Sequence, residues 1–278
     1  MKVLIAIFSY NRPNLLKFTT RYLWKYGASP DDTRIFDDDS DDPGVLGYLE
    51  HCREKGCSVW NIGERDPISR KYLRDRAMRL AVLRQAAVDV FLSGIQADYL
   101  FFKDDDVLTN WSAIQEAVTD FEQLKRTDWA KIGALTLHGI STHKGFIQVD
   151  GKVFAELSIT GEANVLFSRE ALLKVGNHFA PVSKGFADTQ FEALRAGGYK
   201  YYDRVWPTYN VQHLGFGPLS STVHQDEANP SWTLGPYTCT YTRRDFGEPL
   251  RVPGFDVQAF AEAAIRVGAE KAIQEIPR

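Results

Sequence analysis

Two runs of aspartate carry the most obvious chemistry in this 278-residue chain: Asp37-Asp38-Asp39-Ser40-Asp41-Asp42 and Asp104-Asp105-Asp106. Adjacent carboxylates repel one another unless solvent or a cation offsets their charge. Hard divalent cations such as Mg²⁺ or Mn²⁺ accept carboxylate oxygens and are often completed by phosphate oxygens. The plainer use of such runs is turn formation or helix capping, and both uses stay open at this point. Calcium in an EF-hand loop fits poorly. Asp42 stands where that loop needs glycine, and Tyr48 where it needs glutamate. Between the runs lies a basic stretch. Residues 65–84 hold seven Arg or Lys against two Asp, whereas residues 31–42 hold seven Asp against one Arg. Acid fit for a cation therefore lies close to base fit for phosphate.

Both acidic runs follow apolar segments, which indicates the elements that must position them. Val3–Phe8 reads as a strand covered on both faces, and Thr33–Phe36, Cys57–Ile62 and Tyr99–Phe102 as further strands. Asn11 and Pro13 open a helix that reaches about Tyr26. A long helix is expected from Ile68 to about Leu92, stopped near Gly94, and another from Trp111 to about Leu124. Strands alternating with helices imply parallel βαβ units in one sheet. In such sheets ligands bind beyond the carboxyl ends of the strands, where both acidic runs fall.

From residue 131 the pattern changes to short apolar runs: Ile132–Leu137, Phe146–Val149, Val153–Leu157 and Asn164–Phe167. Asp150-Gly151 between two of them signals a hairpin. Helices are expected at Arg169–Val175 and Thr189–Ala196. Residues 214–255 read as long loops, before a last helix from about Val257 to Ile273. The expected architecture is α/β: a mostly parallel, Rossmann-like sheet flanked by helices, with a smaller antiparallel portion and a C-terminal loop and helix extension.

Composition is that of an ordinary globular protein: 44 % apolar, 25 % charged, net charge −3. It excludes a disordered chain and disfavours a globally basic nucleic-acid binder. Cys52, Cys57 and Cys239 match no zinc spacing and read as reduced thiols of a cytoplasmic protein. The six apolar residues Val3–Phe8 are too few for a signal peptide or membrane helix, and no run approaches the length of a membrane span.

The opening Ile5-Ala-Ile-Phe-Ser-Tyr-Asn-Arg-Pro13, the Asp-rich end of the second strand and the apolar strand running into Asp-x-Asp resemble the GT-A glycosyltransferases, and most of all the inverting group of family 2 type. Thr160-Gly-Glu-Ala-Asn-Val-Leu-Phe-Ser-Arg-Glu-Ala-Leu172 is similar to that group's Thr-Gly-Ala–apolar–Arg-Arg-x-Ala-Leu segment. Gly185-Phe-Ala-Asp188, followed by Arg195 and Gly198-Tyr199, is similar to its Glu-Asp…Arg…Gly-Tyr segment. The sequence departs from the pattern at Ala187, where Glu is common, which puts the acceptor-side contact in question. These motifs stand in the family's order over residues 1–213, implying a nucleotide-sugar half at 1–126 and an acceptor half at 127–213. Residues 214–278 would add a lid and terminal helix to the same domain.

The resemblance implies a metal-dependent transfer of sugar from a nucleotide-diphosphate donor, with UDP-sugars favoured, to an acceptor hydroxyl with inversion. Asp188 would be the general base. Asp38 or Asp39 would hold the nucleoside, with Ser9, Tyr10 and Arg12 in the first loop beside it. Asp104 would face the ribose or a metal-bound water, and Asp106 would ligate Mn²⁺ or Mg²⁺, with Asp105 as the alternative ligand. His213 would complete the metal site, with His224 as runner-up. Arg79, then Arg84, would meet the diphosphate through a planar guanidinium. Gly215–Thr222 would form a lid, and Trp206, Trp232, Tyr237 and Tyr241 a sugar platform. A sugar-phosphate nucleotidyltransferase is the rival enzyme, disfavoured because Ser9–Pro13 lacks the glycines of its phosphate loop. A non-catalytic carbohydrate- or cation-binding module is the rival of another class. The acceptor stays open among saccharide, lipid-linked sugar, protein, small metabolite and modified DNA base.

Overall fold

The computed structural model describes residues 1–65, 76–127, 131–137, 141–160, 164–175, 188–206, 209 and 211–213. Val3–Ser9 forms β1, buried along its whole length. Its side chains alternate between two cores, as the pleat requires. Val3, Ile5 and Ile7 enter one; Leu4, Ala6 and Phe8 enter the other. Helices α1 (Pro13–Lys25), α2 (Pro43–Glu54) and α5 (Trp111–Lys125) contribute to the first core. Helices α4 (Arg76–Gly94), α6 (Arg169–Val175) and α7 (Asp188–Ala196) contribute to the second. The sheet is thus covered on both faces, which is why β1 reads as an unbroken apolar run.

The remaining strands are β2 (Thr33–Asp37), β3 (Ser58–Asn61), β4 (Tyr99–Asp104), β5 (Val107–Thr109), β6 (Ile132–Thr136), β7 (Ser141–Val149), β8 (Lys152–Thr160), β9 (Val165–Ser168), β10 (Lys200–Trp206) and β11 (Val211–His213); a four-residue α3 (Ile62–Arg65) follows β3. Nine strands form one sheet in the order β3-β2-β1-β4-β9-β6-β10-β8-β7. β3, β2, β1 and β4 are mutually parallel, as are β6 and β10. β9 runs antiparallel between β4 and β6, and β8 antiparallel to β10 and β7. The expected α/β plan with an antiparallel side portion is observed. The hairpin at Asp150-Gly151 forms with both residues at positive φ, 49° and 78°, as a tight two-residue turn requires.

Several elements depart from the sequence reading, the short α3 and β5 among them. α2 is unforeseen, yet Asp42 caps it, accepting from the Gly44 and Val45 amides at 2.7 and 3.1 Å, with Pro43 opening the first turn. Asp42 is therefore a cap. β3 ends at Asn61, one residue short, because Ile62 opens α3. β10 is also unforeseen: Asp203 and Arg204 are buried within it and break the apolar signal. The long helix is observed from Arg76 to Gly94. Its expected start, the lid, His224, Cys239, Trp232, Tyr237, Tyr241 and the terminal helix lie outside the described residues. Among the described residues Cys52 and Cys57 are buried free thiols. No helix there is long and apolar enough to cross a membrane.

Burial pushes the Asp203 carboxyl up to about 7, against the pull of Arg204. An unfolded Asp ionises near pH 4. Between these values the folded state holds a proton that the unfolded chain has lost, so this group's stabilisation fades as pH rises from about 4 to about 7. Asp203→Asn should flatten that slope, read as Tm against pH. An unchanged slope would show that Asp203 is not its source.

Candidate active site

The carboxyl ends of β1, β2 and β4 meet at one edge of the sheet. Ser9 pairs with Asp37, and Phe8 with Asp104. Beyond the strands, the Asp38 amide donates to the Ser9 carbonyl at 2.9 Å and the Asp105 amide to the Phe8 carbonyl at 3.2 Å. The two acidic runs are thereby drawn to either side of the first βα loop. Asn11 ties that loop to the first run. Its side-chain oxygen accepts from the Asp41 and Asp42 amides at 3.0 and 3.1 Å, its Nδ2 donates to Asp41 at 2.7 Å, and its backbone sits at φ 47°.

The aspartates of the first run do different work. Asp37 is buried and accepts from the Ser40 amide (2.8 Å), the Ser40 hydroxyl (2.6 Å) and Asn61 Nδ2 (2.7 Å). Burial raises its pKa against those hydrogen bonds. Asp38 pairs with Arg79 Nε at 2.8 Å, and the Arg79 guanidinium lies 5.8 Å from the Tyr10 ring centroid. Burial works to lower the Arg79 pKa, but the hydrogen bond and charge of Asp38 raise it overall. Asp39 is half-buried at φ 57°. Its Oδ1 lies 2.0 Å from where a Cβ on Gly63 would stand, so a larger residue there would push this carboxylate aside.

The second run is matched to cations of the chain. Arg84, 2 % exposed, reaches Asp104 Oδ1 at 3.4 Å. Burial lowers the Arg84 pKa to about 10. Arg12 ion-pairs with Asp105 and, through Nη1 at 2.7 Å, with Asp106 Oδ2. Asp105 is fully buried, which pushes its carboxyl above the usual carboxylate range despite Arg12. Lys103, also fully buried, donates to the Asp104 carbonyl at 3.0 Å, and burial brings it down to about 8. Thr19 Oγ1 donates to the Asp105 carbonyl at 2.8 Å, fixing the turn from below.

The more distant candidates are placed through their backbones alone. β11 pairs antiparallel with β5, setting His213 opposite Val107, the residue after Asp106. Asp188 is the first residue of α7. That helix leads through Gly197-Gly198 into β10, which runs parallel to β6. A helix that feeds the start of a strand begins near the strand's far end, so Asp188 lies toward the same edge as the acids. The side chains of Asp188 and His213 lie outside the described residues. Arg169, in the segment similar to the family's Arg-Arg-x-Ala-Leu, is structural here. It donates to the carbonyls of Phe91, Leu92, Ile95 and Ala97, closing the end of α4.

A hard cation suits the donor chemistry of Asp104 and Asp106 but not the arrangement. Arg12 already engages Asp105 and Asp106, and among the described residues no three His, Cys, Asp or Glu are grouped to hold a metal ion.

No protein-family model matches the sequence, and no curated protein does. Solved structures match by fold. The structure of S. aureus TarS superposes at a TM-score of 0.51 and 15 % identity, covering 75 % of this chain and 36 % of that one. TarS 1–349 in complex with UDP gives 0.50 and 14 %, over 75 % of this chain and 59 % of that one. A further TarS 1–349 structure gives 0.52 and 12 %, over 98 % and 81 %. The chain has the GT-A glycosyltransferase fold. At these identities the likeness is one of fold, and the chain spans about a third of the first TarS structure, 36 % of its length. The GT-A edge that carries the two acidic runs is the crevice where α/β sheets take their ligands.

Proposed function

We propose that this protein transfers a sugar from a nucleotide-diphosphate donor, UDP-sugars being favoured, to an acceptor hydroxyl with inversion. The observation that carries this reading is the meeting of Asp38–Arg79 and Asp104–Arg84 around the Ser9–Arg12 loop at the ligand-binding edge of a GT-A sheet. It is supported by the likeness in fold to TarS, whose 1–349 portion was solved with UDP. Tyr10 offers a ring face to a base, with Asp38 or Asp39 beside it for base or ribose hydroxyls. Arg79 supplies the charge-assisted donors a diphosphate needs, while Arg84, 2 % exposed, holds Asp104 in place. Asp188 takes the proton of the acceptor hydroxyl as that oxygen attacks the anomeric carbon. The resemblance implies a divalent metal on Asp106 with His213, but Arg12 already pairs with Asp106, and no step of this reading is routed through a metal.

The test is a donor-hydrolysis and nucleotide-binding screen with UDP- and GDP-sugars, with and without Mn²⁺. Turnover of at least one donor is expected. Nucleotide binding without turnover would turn the reading to a non-catalytic module. Neither binding nor turnover would overturn it. A pyrophosphorolysis arm, with nucleotide-sugar and pyrophosphate supplied together, separates out a nucleotidyltransferase.

A further inference from the structure

Arg12 directly precedes the first residue of α1, where a side chain would ordinarily cap the helix, yet it makes no capping bond. Instead it turns into the second acidic run and pairs with two adjacent carboxylates, Asp105 and Asp106. Its side chain is 9 % exposed and that of Asp105 fully buried. A guanidinium keeps its charge at every working pH. Arg84 reaches Asp104, so each of the three carboxylates meets a guanidinium of the chain itself, while buried Lys103 donates to the Asp104 carbonyl. Adding a divalent ion with Arg12 still in place would leave surplus positive charge in a water-poor site, where repulsion is strong.

We propose that Arg12 is a resident counter-cation for Asp105 and Asp106 that competes with a divalent metal for those carboxylates, so that Arg12 sets how strongly the protein depends on metal. This deepens the proposed function and rests on its reading of the second acidic run as facing the donor diphosphate. A metal enters only the fraction of molecules in which Arg12 has released Asp106, so its apparent affinity is lowered by that fraction. Released, Arg12 is free to turn to the diphosphate that arrives with the ion. Where metal is scarce, the same side chain provides the counter-charge.

The competition can be read without donor or turnover. The full chain is titrated with Mn²⁺ alone, and free Mn²⁺ is followed by electron paramagnetic resonance. Arg12→Gln should bind one Mn²⁺ at least about tenfold more tightly than the native chain, which corresponds to about 1.4 kcal/mol. Arg12→Gln combined with Asp106→Asn should lose that gain. Equal affinity of the native chain and Arg12→Gln would overturn the proposal, as would a gain that survives Asp106→Asn. Should Arg12→Gln not fold, Arg12→Gln with Asp105→Asn removes one charge of each sign and leaves Asp106. It should also bind more tightly than the native chain, and equality would again overturn the proposal. Failure of nucleotide binding in the donor screen would bear on the proposed function alone, since the Mn²⁺ titration contains no nucleotide.

Discussion

Asp188→Asn should abolish most sugar transfer while leaving donor binding intact. General-base catalysis contributes about 10²–10⁴-fold in rate, and asparagine keeps the size of aspartate without a site for the proton. The fall is therefore expected in kcat, with the dissociation constant for UDP or GDP unchanged within about threefold. The helix supports this separation. Asp188 only begins α7, whose anchoring is done further along by Phe191 and Leu194, both in the core. A purely structural Asp188 predicts the opposite pattern: a lowered Tm with transfer per folded molecule preserved. The two patterns are separated by measuring kcat, nucleotide affinity and Tm on the same preparation. Surviving transfer would move the base elsewhere.

The elements that position this site are legible where burial is uniform. β1 and β4 are apolar through almost their whole length because both sheet faces are covered, and the Asp150-Gly151 hairpin follows from two residues that tolerate positive φ. β10 is hidden because the sequence shows Asp203 and Arg204 as polar. Their burial depends on partners far along the chain, such as Glu116 and Asp120 for Arg204. α2 carries a local signal in Asp42-Pro43, masked because the same aspartate belongs to an acidic run that invites a ligand reading. The site shows the same division. That acids gather at strand ends is written locally. That Asp38 meets Arg79 across 41 residues, and Asp106 meets Arg12 across 94, is not. Those pairings change the chemistry of the runs. Each carboxylate cluster arrives already joined to a guanidinium, and Asp37 and Asp42 are taken up in holding loop and helix.

Asp120→Ala should be strongly destabilising, costing about 3–5 kcal/mol. Asp120 lies on α5, fully buried, and collects three donors: Lys152 Nζ at 2.5 Å, Arg204 Nη1 at 2.8 Å and the Tyr209 hydroxyl at 2.7 Å. Removing it leaves Arg204, whose side chain is 1 % exposed, with Glu116 at 2.6 Å as its remaining carboxylate partner. It also strips the Tyr209 hydroxyl of its acceptor. A buried guanidinium that loses its buried carboxylate and keeps only a half-exposed one, together with an unsatisfied buried hydroxyl, costs more than the net worth of the bonds removed. Lys152→Met should cost under about 1 kcal/mol, because the lysine side chain is 23 % exposed and a partly exposed pair is worth little. Urea denaturation of the two variants beside the native chain measures both. A cost below about 1 kcal/mol for Asp120→Ala would mean that the cluster does not hold α5 to β8 and β10. The cluster also reaches the site by a short path. Tyr209 lies two residues before Val211, which pairs with Thr109, and the strand then runs to His213 opposite Val107, the residue after Asp106. Asp120→Asn, which keeps an acceptor for one donor, should therefore recover part of the stability. If nucleotide affinity fell in that variant while stability held, the Tyr209 anchor would belong to the site's geometry as well as to the core.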